Sequence, residues 1–223
     1  NYPGVTVERK AGSRRHKGLE LEIVDLPGTY SLTAYSEEEL VARNYIIEQR
    51  PDVVVNIIDA SNLERNLYLT VQLMELGLPL VLAFNMSDQA KARGQVFDLT
   101  KLAAFFGAPI VETVGHKGQG MEALLDAIVN RARAEEAPDS SAKPQPPTIL
   151  TAKASIRGVA MPAGIHYGRE IEEEIARLEP LLKRDIRLAD RYAARWLALK
   201  LLENDGEVLD KLKDAPHIAE EVK

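Results

Sequence analysis

The sequence predicts an α/β protein, with a doubly wound, mostly parallel sheet followed by a small all-helical domain. Three observations carry this expectation. The runs VVVNII at residues 53–58 and PLVLAF at 79–84 are short and almost wholly apolar, as parallel strands covered on both faces should be. Each run is followed by apolar residues at helical spacing, so strand and helix alternate. Beyond residue 148 no strand pattern recurs, and only helical stripes remain.

Taken in chain order, residues 5–10 and 19–24 roughly alternate apolar and polar side chains around a Gly- and Lys-containing turn. They predict an antiparallel hairpin. Ser36, with Glu39 three positions later, makes a capping box, and the helix it opens should stop before Pro51. Leu63, Leu67, Val71 and Met74 form the stripe of the next helix, which ends at Gly77. A third apolar run at 109–114 lies between a helix at 102–106 and a helix carrying Met121, Leu124, Leu125, Ile128 and Val129. Residues 135–148 (EEAPDSSAKPQPPT) mix Pro, Ser and charge without a period and read as a linker. The chain thus divides into an α/β domain over 1–134 and a helical domain over 149–223. In the latter, Ile171, Ile175 and Leu178 form a stripe that Pro180 interrupts, and Leu188, Tyr192, Trp196, Leu199 and Leu202 form another.

Composition narrows the function classes. At 223 residues there is room for one sizeable core and a smaller unit. Acidic residues outnumber basic ones, 34 to 28, and the basic ones are scattered, so no footprint for nucleic acid or anionic lipid exists. The absence of cysteine removes disulfides, thiolate metal sites and thiol nucleophiles. It is also compatible with a reducing compartment, and the cytosolic side is the default expectation. No apolar run approaches the roughly 18 residues of a membrane span and no signal-peptide pattern is present, so these residues read as soluble. The chain opens at Asn1 rather than Met, which suggests an upstream segment.

In an open α/β sheet, ligands bind beyond the carboxyl ends of the strands. Three such positions carry suggestive residues. Asp25-Leu26-Pro27-Gly28 follows the second hairpin strand. There the carboxylate suits a hydrated magnesium ion, and the glycine lets a backbone N–H approach a γ-phosphate. Asn85-Met86-Ser87-Asp88 follows the 79–84 strand and matches the guanine-reading Asn-x-x-Asp element. The Asp88 carboxylate would accept from the base N1–H and exocyclic amine, a donor pair that adenine lacks. Gly115-His116-Lys117-Gly118 follows the 109–114 run and would present backbone N–H groups to the guanine oxygen. Individually these are ordinary turn, cap and loop residues. Their order and spacing, with Thr6 upstream at the position of a magnesium-ligating switch threonine, give the arrangement of the small GTPase fold.

Longer strings carry a more specific resemblance. Residues 1–8 (NYPGVTVE), 25–32 (DLPGTYSL) and 59–69 (DASNLERNLYL) closely resemble the ferrous iron transport protein B (FeoB) family, from Asn1 to about Val129 and more loosely from Trp196 to Glu203. The resemblance implies a cytosolic N-terminal GTPase domain plus a helical domain, with GTP or GDP and Mg2+ as ligands. The implied partner is the membrane-spanning part of the same iron(II) transporter, on the cytoplasmic face of the membrane, and a homo-oligomer stays open. It places Thr6 in switch one, Asp25 and Gly28 in switch two, and Asn85, Met86, Asp88, Gly115, His116 and Lys117 around the base. Thr6 and Gly28 would serve catalysis, and Thr6 and Asp25 the metal. It also implies that residues beyond about 149 slow nucleotide release.

The sequence departs from the usual pattern in several places. Thr29 stands where many GTPases place a water-orienting Gln, which predicts slow hydrolysis. Met86 replaces the usual Lys, and Gly115 the usual Ser. No G-x-x-x-x-G-K-[ST] occurs, so the phosphate-binding loop and the first strand preceding it are missing from these residues. That strand would lie between strands 19–24 and 53–58, so the sheet should show a gap there. A truncated fold serving only as a non-catalytic scaffold is therefore the alternative. His16, His116, His166 and His217 share no ligand-like spacing, and Glu170, Glu172, Glu173 and Glu174 read as solvated residues near a helix start.

Overall fold

The computed structural model describes residues 10–33, 36–136, 165–185 and 192–212. The first described elements are β1 (Lys10–His16) and β2 (Leu19–Asp25), paired antiparallel from Lys10 opposite Asp25 to His16 opposite Leu19. The turn is only Lys17-Gly18, both at positive φ (47° and 80°), as a two-residue hairpin requires. The described strand runs over 10–16, so residues 11–16, read as part of the turn, are strand, and Gly12 and Ser13 lie within the ladder. Alternation did not mark it because Ala11 to Arg15 are all exposed, leaving no buried face to select a pattern. Residues 5–9 lie outside the described residues. Charge holds the hairpin to α5 (Met121–Glu136): Asp126 accepts from His16 and pairs with Lys17 at 2.8 Å.

Helix α1 (Glu37–Gln49) starts at the expected capping box, in which Ser36 accepts from the Glu39 N–H and Glu39 reaches back to the Ser36 N–H. It stops at Arg50, in left-handed geometry ahead of Pro51. Then β3 (Val54–Asp59), α2 (Leu63–Glu75), β4 (Leu80–Asn85), the short α3 (Ser87–Ala92), α4 (Leu99–Phe106), β5 (Ile110–Glu112) and α5 alternate. The sheet β3-β4-β5 is parallel throughout, with Asp59 in register with Asn85 at its carboxyl edge. Leu80 to Phe84 are all buried, as a central strand covered by helices on both faces must be.

The hairpin and the parallel sheet are separate ladders; among the described residues none joins β2 to β3. Ile57 on β3 is 65% exposed and Ile23 on β2 49%, so apolar side chains are left uncovered on the faces of both ladders.

Helix α5 runs through Glu136, two residues into the segment read as linker. Glu135 and Glu136 are good helix formers, and residues 137–148 lie outside the described residues. The helical region contains α6 (Arg169–Leu182), α7 (Ala194–Leu202) and α8 (Gly206–Leu212). Pro180 does not interrupt α6: it sits in the last turn, where one lost bond matters least, and Leu182 beyond it is fully buried. The expected stripes are narrower than drawn, because Ile171 and Leu202 are exposed, Tyr192 precedes α7, and Leu188 lies outside the described residues. Glu172 is not simply solvated. It receives two bonds from Arg195 (2.9 and 2.7 Å), tying α6 to α7, and Arg195 holds its carboxyl below the ordinary value.

Trp196 is core, stacked on Tyr192, but this core also includes Ile47 of α1 and the partly buried Leu76 after α2. The α/β and helical regions therefore share one apolar cluster.

Candidate nucleotide site

Two loops meet at the carboxyl edge of the parallel sheet. Asn85 ends β4, and its Oδ1 accepts the Gly115 N–H at 2.9 Å and the Thr113 hydroxyl at 3.4 Å. Ser87, buried at the start of α3, donates through both its N–H and its hydroxyl to the Thr113 C=O. A single β4 side chain and the first turn of α3 thus clamp the chain after β5. Met86 sits between them in left-handed geometry (φ 57°), which a non-glycine residue adopts only where its surroundings hold it.

The second loop is closed on itself. Val114 pairs with Gln119, and the N–H groups of Lys117 and Gly118 donate to the carbonyls of Val114 and Gly115. Gly120 is obligatory: at φ 82°, a Cβ there would lie 2.3 Å from the Glu112 carbonyl oxygen. Gly115, by contrast, would place a Cβ at ordinary contact distance from Asn85, so the usual Ser is sterically acceptable there. With the amides of Gly115 and Lys117 already committed, His116 supplies the remaining N–H of the predicted 115–117 turn.

Asp88 stands on α3 beside this loop, with Oδ2 2.6 Å from Lys117 Nζ and Oδ1 accepting the Gln89 N–H at 3.0 Å. The Lys117 hydrogen bond holds the Asp88 carboxyl below its ordinary value. The structure thus brings Asn85, Met86, Asp88, Gly115, His116 and Lys117 into one corner.

Asp25 and Gly28 lie elsewhere, at and just past the end of β2, and both are exposed. Nothing lies within 4 Å of where a Gly28 Cβ would point, so a ligand oxygen has room to approach. A hard carboxylate oxygen beside open space fits a magnesium ion that takes most of its ligands from phosphate and water. Thr6 lies outside the described residues. Downstream, Thr29 and Ser31 form a closed turn: the Thr29 hydroxyl donates to the Ser31 C=O (2.6 Å) and accepts its N–H (3.2 Å).

Sequence reasoning missed the residues that hold this loop. The Leu32 N–H donates to Gln72 Oε1 of α2 at 2.6 Å. The fully buried Arg43 of α1 donates to the Leu32 C=O and, bidentately, to Asp205 just before α8 (2.7 and 3.1 Å). Arg43 also lies 5.2 Å from the Trp196 ring centroid. Tyr30 is covered by Arg65, whose guanidinium carbon stands 3.8 Å from the ring centroid. Gln72 and Arg43 are long polar residues inside helices, and only their burial reveals their role.

The sequence profile described as ferrous iron transport protein B matches residues 1–128, and that of the FeoB cytosolic helical domain matches residues 167–223. The chain is 43% identical over 209 residues to an Fe(2+) transport protein A/Fe(2+) transporter FeoB fusion protein of Porphyromonas gingivalis, covering 93% of this chain and 22% of the relative. It is 38% identical to the Fe(2+) transporter FeoB of Escherichia coli K12, covering 92% and 23%. The chain therefore spans about a fifth of the length of these curated relatives. Among solved structures, the cytosolic domain of T. maritima FeoB in a GDP form superposes with a TM-score of 0.75 at 33% identity, covering 95% of this chain and 73% of that one. An S. thermophilus NFeoB mutant bound to mGDP superposes at 0.71 with 36% identity, covering 100% and 76%. Fold, paired strand-end loops and both profile matches agree: the chain belongs to the FeoB family and carries its N-terminal G domain together with its cytosolic helical domain.

Proposed function

We propose that this chain is the guanine-nucleotide switch of a ferrous-iron transporter, acting at the cytoplasmic face of the membrane and coupling GTP binding and slow hydrolysis to iron(II) uptake. The observation that carries the reading is the Asn85 to Gly115 bond, which sets the Asp88 carboxylate and the His116 amide at one corner beyond the parallel strands. Asp88 reads the guanine N1–H and amine, the His116 N–H reads the carbonyl oxygen, and Met86 and Lys117 flank the base. Asp25, with Thr6, would hold Mg2+, which when bound offsets phosphate charge, and the Gly28 N–H would meet the γ-phosphate. Relatives solved with GDP support the ligand class.

Slow turnover follows from Thr29. It has no amide to orient water, and its hydroxyl is already engaged with Ser31. The helical region would act on nucleotide release through Arg43, which grips the loop after Gly28 and Asp205 at once. The membrane-spanning part of the same protein is the natural partner of such a switch.

The test is Asp88→Asn in the full-length protein. It should weaken GDP binding and improve relative binding of xanthosine diphosphate; unchanged GDP affinity would remove Asp88 from the base site. The 223 residues contain no Walker-type phosphate loop, and phosphate contacts supply most of the affinity in this fold. Alone they should bind GDP poorly, whereas a version extended upstream should bind it well. Micromolar binding by the unextended chain in calorimetry would place the affinity at the base end instead. Normal binding and hydrolysis by neither version would favour a scaffold role.

A further inference from the structure

We infer that Lys117 is a positioning residue for guanine selection, holding the Asp88 carboxylate from the loop after β5. The inference rests on Asp88 being the guanine reader.

Met86 does not hold this carboxylate. Its side chain is a thioether, able to cover a base face but not to pair with a carboxylate. Lys117 reaches Asp88 from the neighbouring loop at 2.6 Å, and the Gln89 N–H takes the other oxygen, so the carboxylate is held at both ends. An exposed aspartate would otherwise sample several rotamers. The loop that delivers Lys117 is fixed by the Asn85 bond to Gly115, the Val114 to Gln119 pairing and the glycine required at 120. The ammonium is therefore a built feature of the corner rather than a wandering surface charge.

The pair also leaves the site open. Each carboxylate oxygen has two acceptor positions, so an ammonium on the outer side of Oδ2 leaves acceptors for N1–H and the exocyclic amine. Guanine and hypoxanthine differ only in that amine, so the preference for GDP over inosine diphosphate reports how well Asp88 is aimed. A residue that merely braced the loop would alter both affinities together.

The experiment measures mant-GDP and mant-IDP binding to the full-length protein that contains this chain, with Lys117→Met, Lys117→Arg and Asp88→Asn variants. Lys117→Met should lower GDP affinity and the GDP-to-IDP preference by about two- to fivefold, the range an exposed ion pair supports, and Lys117→Arg should restore both. Equal losses for the two nucleotides would reduce Lys117 to a structural brace, and tighter GDP binding would make it a competitor for Asp88. Either result overturns the inference. The Asp88→Asn arm separates the two claims: if it leaves GDP binding unchanged, the base-site reading fails; if it weakens GDP while Lys117→Met does nothing, only the Lys117 role falls.

Discussion

Two ion pairs in this chain look alike on paper and differ in everything physical. Arg43 and Asp205 meet 162 residues apart in a closed interior, with the guanidinium also donating to the Leu32 C=O and facing Trp196. Lys117 and Asp88 meet at the rim, with both side chains open to water. Removing Arg43 from the first strands the Asp205 carboxylate away from solvent, whereas either partner of the second can be lost because water replaces it. The buried pair fixes geometry, and the exposed one is where we propose that recognition is tuned.

The largest effect should therefore come from Arg43. Arg43→Met leaves Asp205 and the Leu32 carbonyl without their donor and should destabilise the fold by about 3–5 kcal/mol, read as a fall in melting midpoint. The double variant Arg43→Met with Asp205→Leu should recover part of this loss, since no carboxylate is then stranded at 205, while the Val208 N–H loses its acceptor and Glu207 its Arg43 contact at 3.4 Å. If the single variant melts like the parent, the pair contributes no more than a surface one and the contrast disappears.

Gly120→Ala comes next. A Cβ at 2.3 Å from a backbone oxygen cannot be relieved by a rotamer change, and φ 82° adds its own strain. A cost of about 1–3 kcal/mol is expected, with weakened GDP binding because the loop bearing His116 and Lys117 must shift. Denaturant melts and a GDP titration of the same variant check both parts.

How much of this was legible beforehand depends on what each feature leaves in the sequence. The capping box, the VVVNII and PLVLAF strands and the Asn-x-x-Asp corner were readable because each is local, with spacing alone encoding the geometry. The Arg43 bridge was not. Helix α1 shows no clean apolar stripe, and its key side chain is an arginine that any periodicity count assigns to solvent. Its partner lies in another region of the chain, and no pattern within a window links residues 43 and 205. Residues 11–16 were read as turn for the opposite reason, since their exposed ladder needs no alternation. Pro180 misled because it sits in the last turn of α6, where its missing N–H removes one bond without ending the helix.

Glu75 sharpens the comparison with an intermediate case. It sits half-buried at the end of α2, and burial pushes its carboxyl up to about 7, with Lys200 and Arg195 opposing and Glu203 reinforcing the rise. Its folded value lies above the ordinary 4.5, so the stabilising contribution is complete below pH 4.5 and is lost as pH rises through 7. Discounted for its exposed part, the loss amounts to about 1–2 kcal/mol. Glu75→Gln should flatten stability between pH 5 and about pH 8, measured by urea melts at each pH. An unchanged slope would move the proton linkage to another group.

The smallest stability effect belongs to the rim pair. Lys117→Met and Asp88→Asn should each leave the melting midpoint where it is, because both side chains reach water in the folded and unfolded chain alike. The loop does not depend on them: Asn85 accepts from Gly115, Ser87 donates to the Thr113 carbonyl, and Val114 pairs with Gln119 without either side chain. Differential scanning fluorimetry without nucleotide should superimpose the three proteins. Adding GDP should separate them, because ligand stabilises in proportion to the logarithm of its concentration over Kd, and the variants differ in Kd alone. A drop in the nucleotide-free midpoint would show that the ion pair braces the loop, and the division between buried pairs that hold and exposed pairs that select would not apply to this corner.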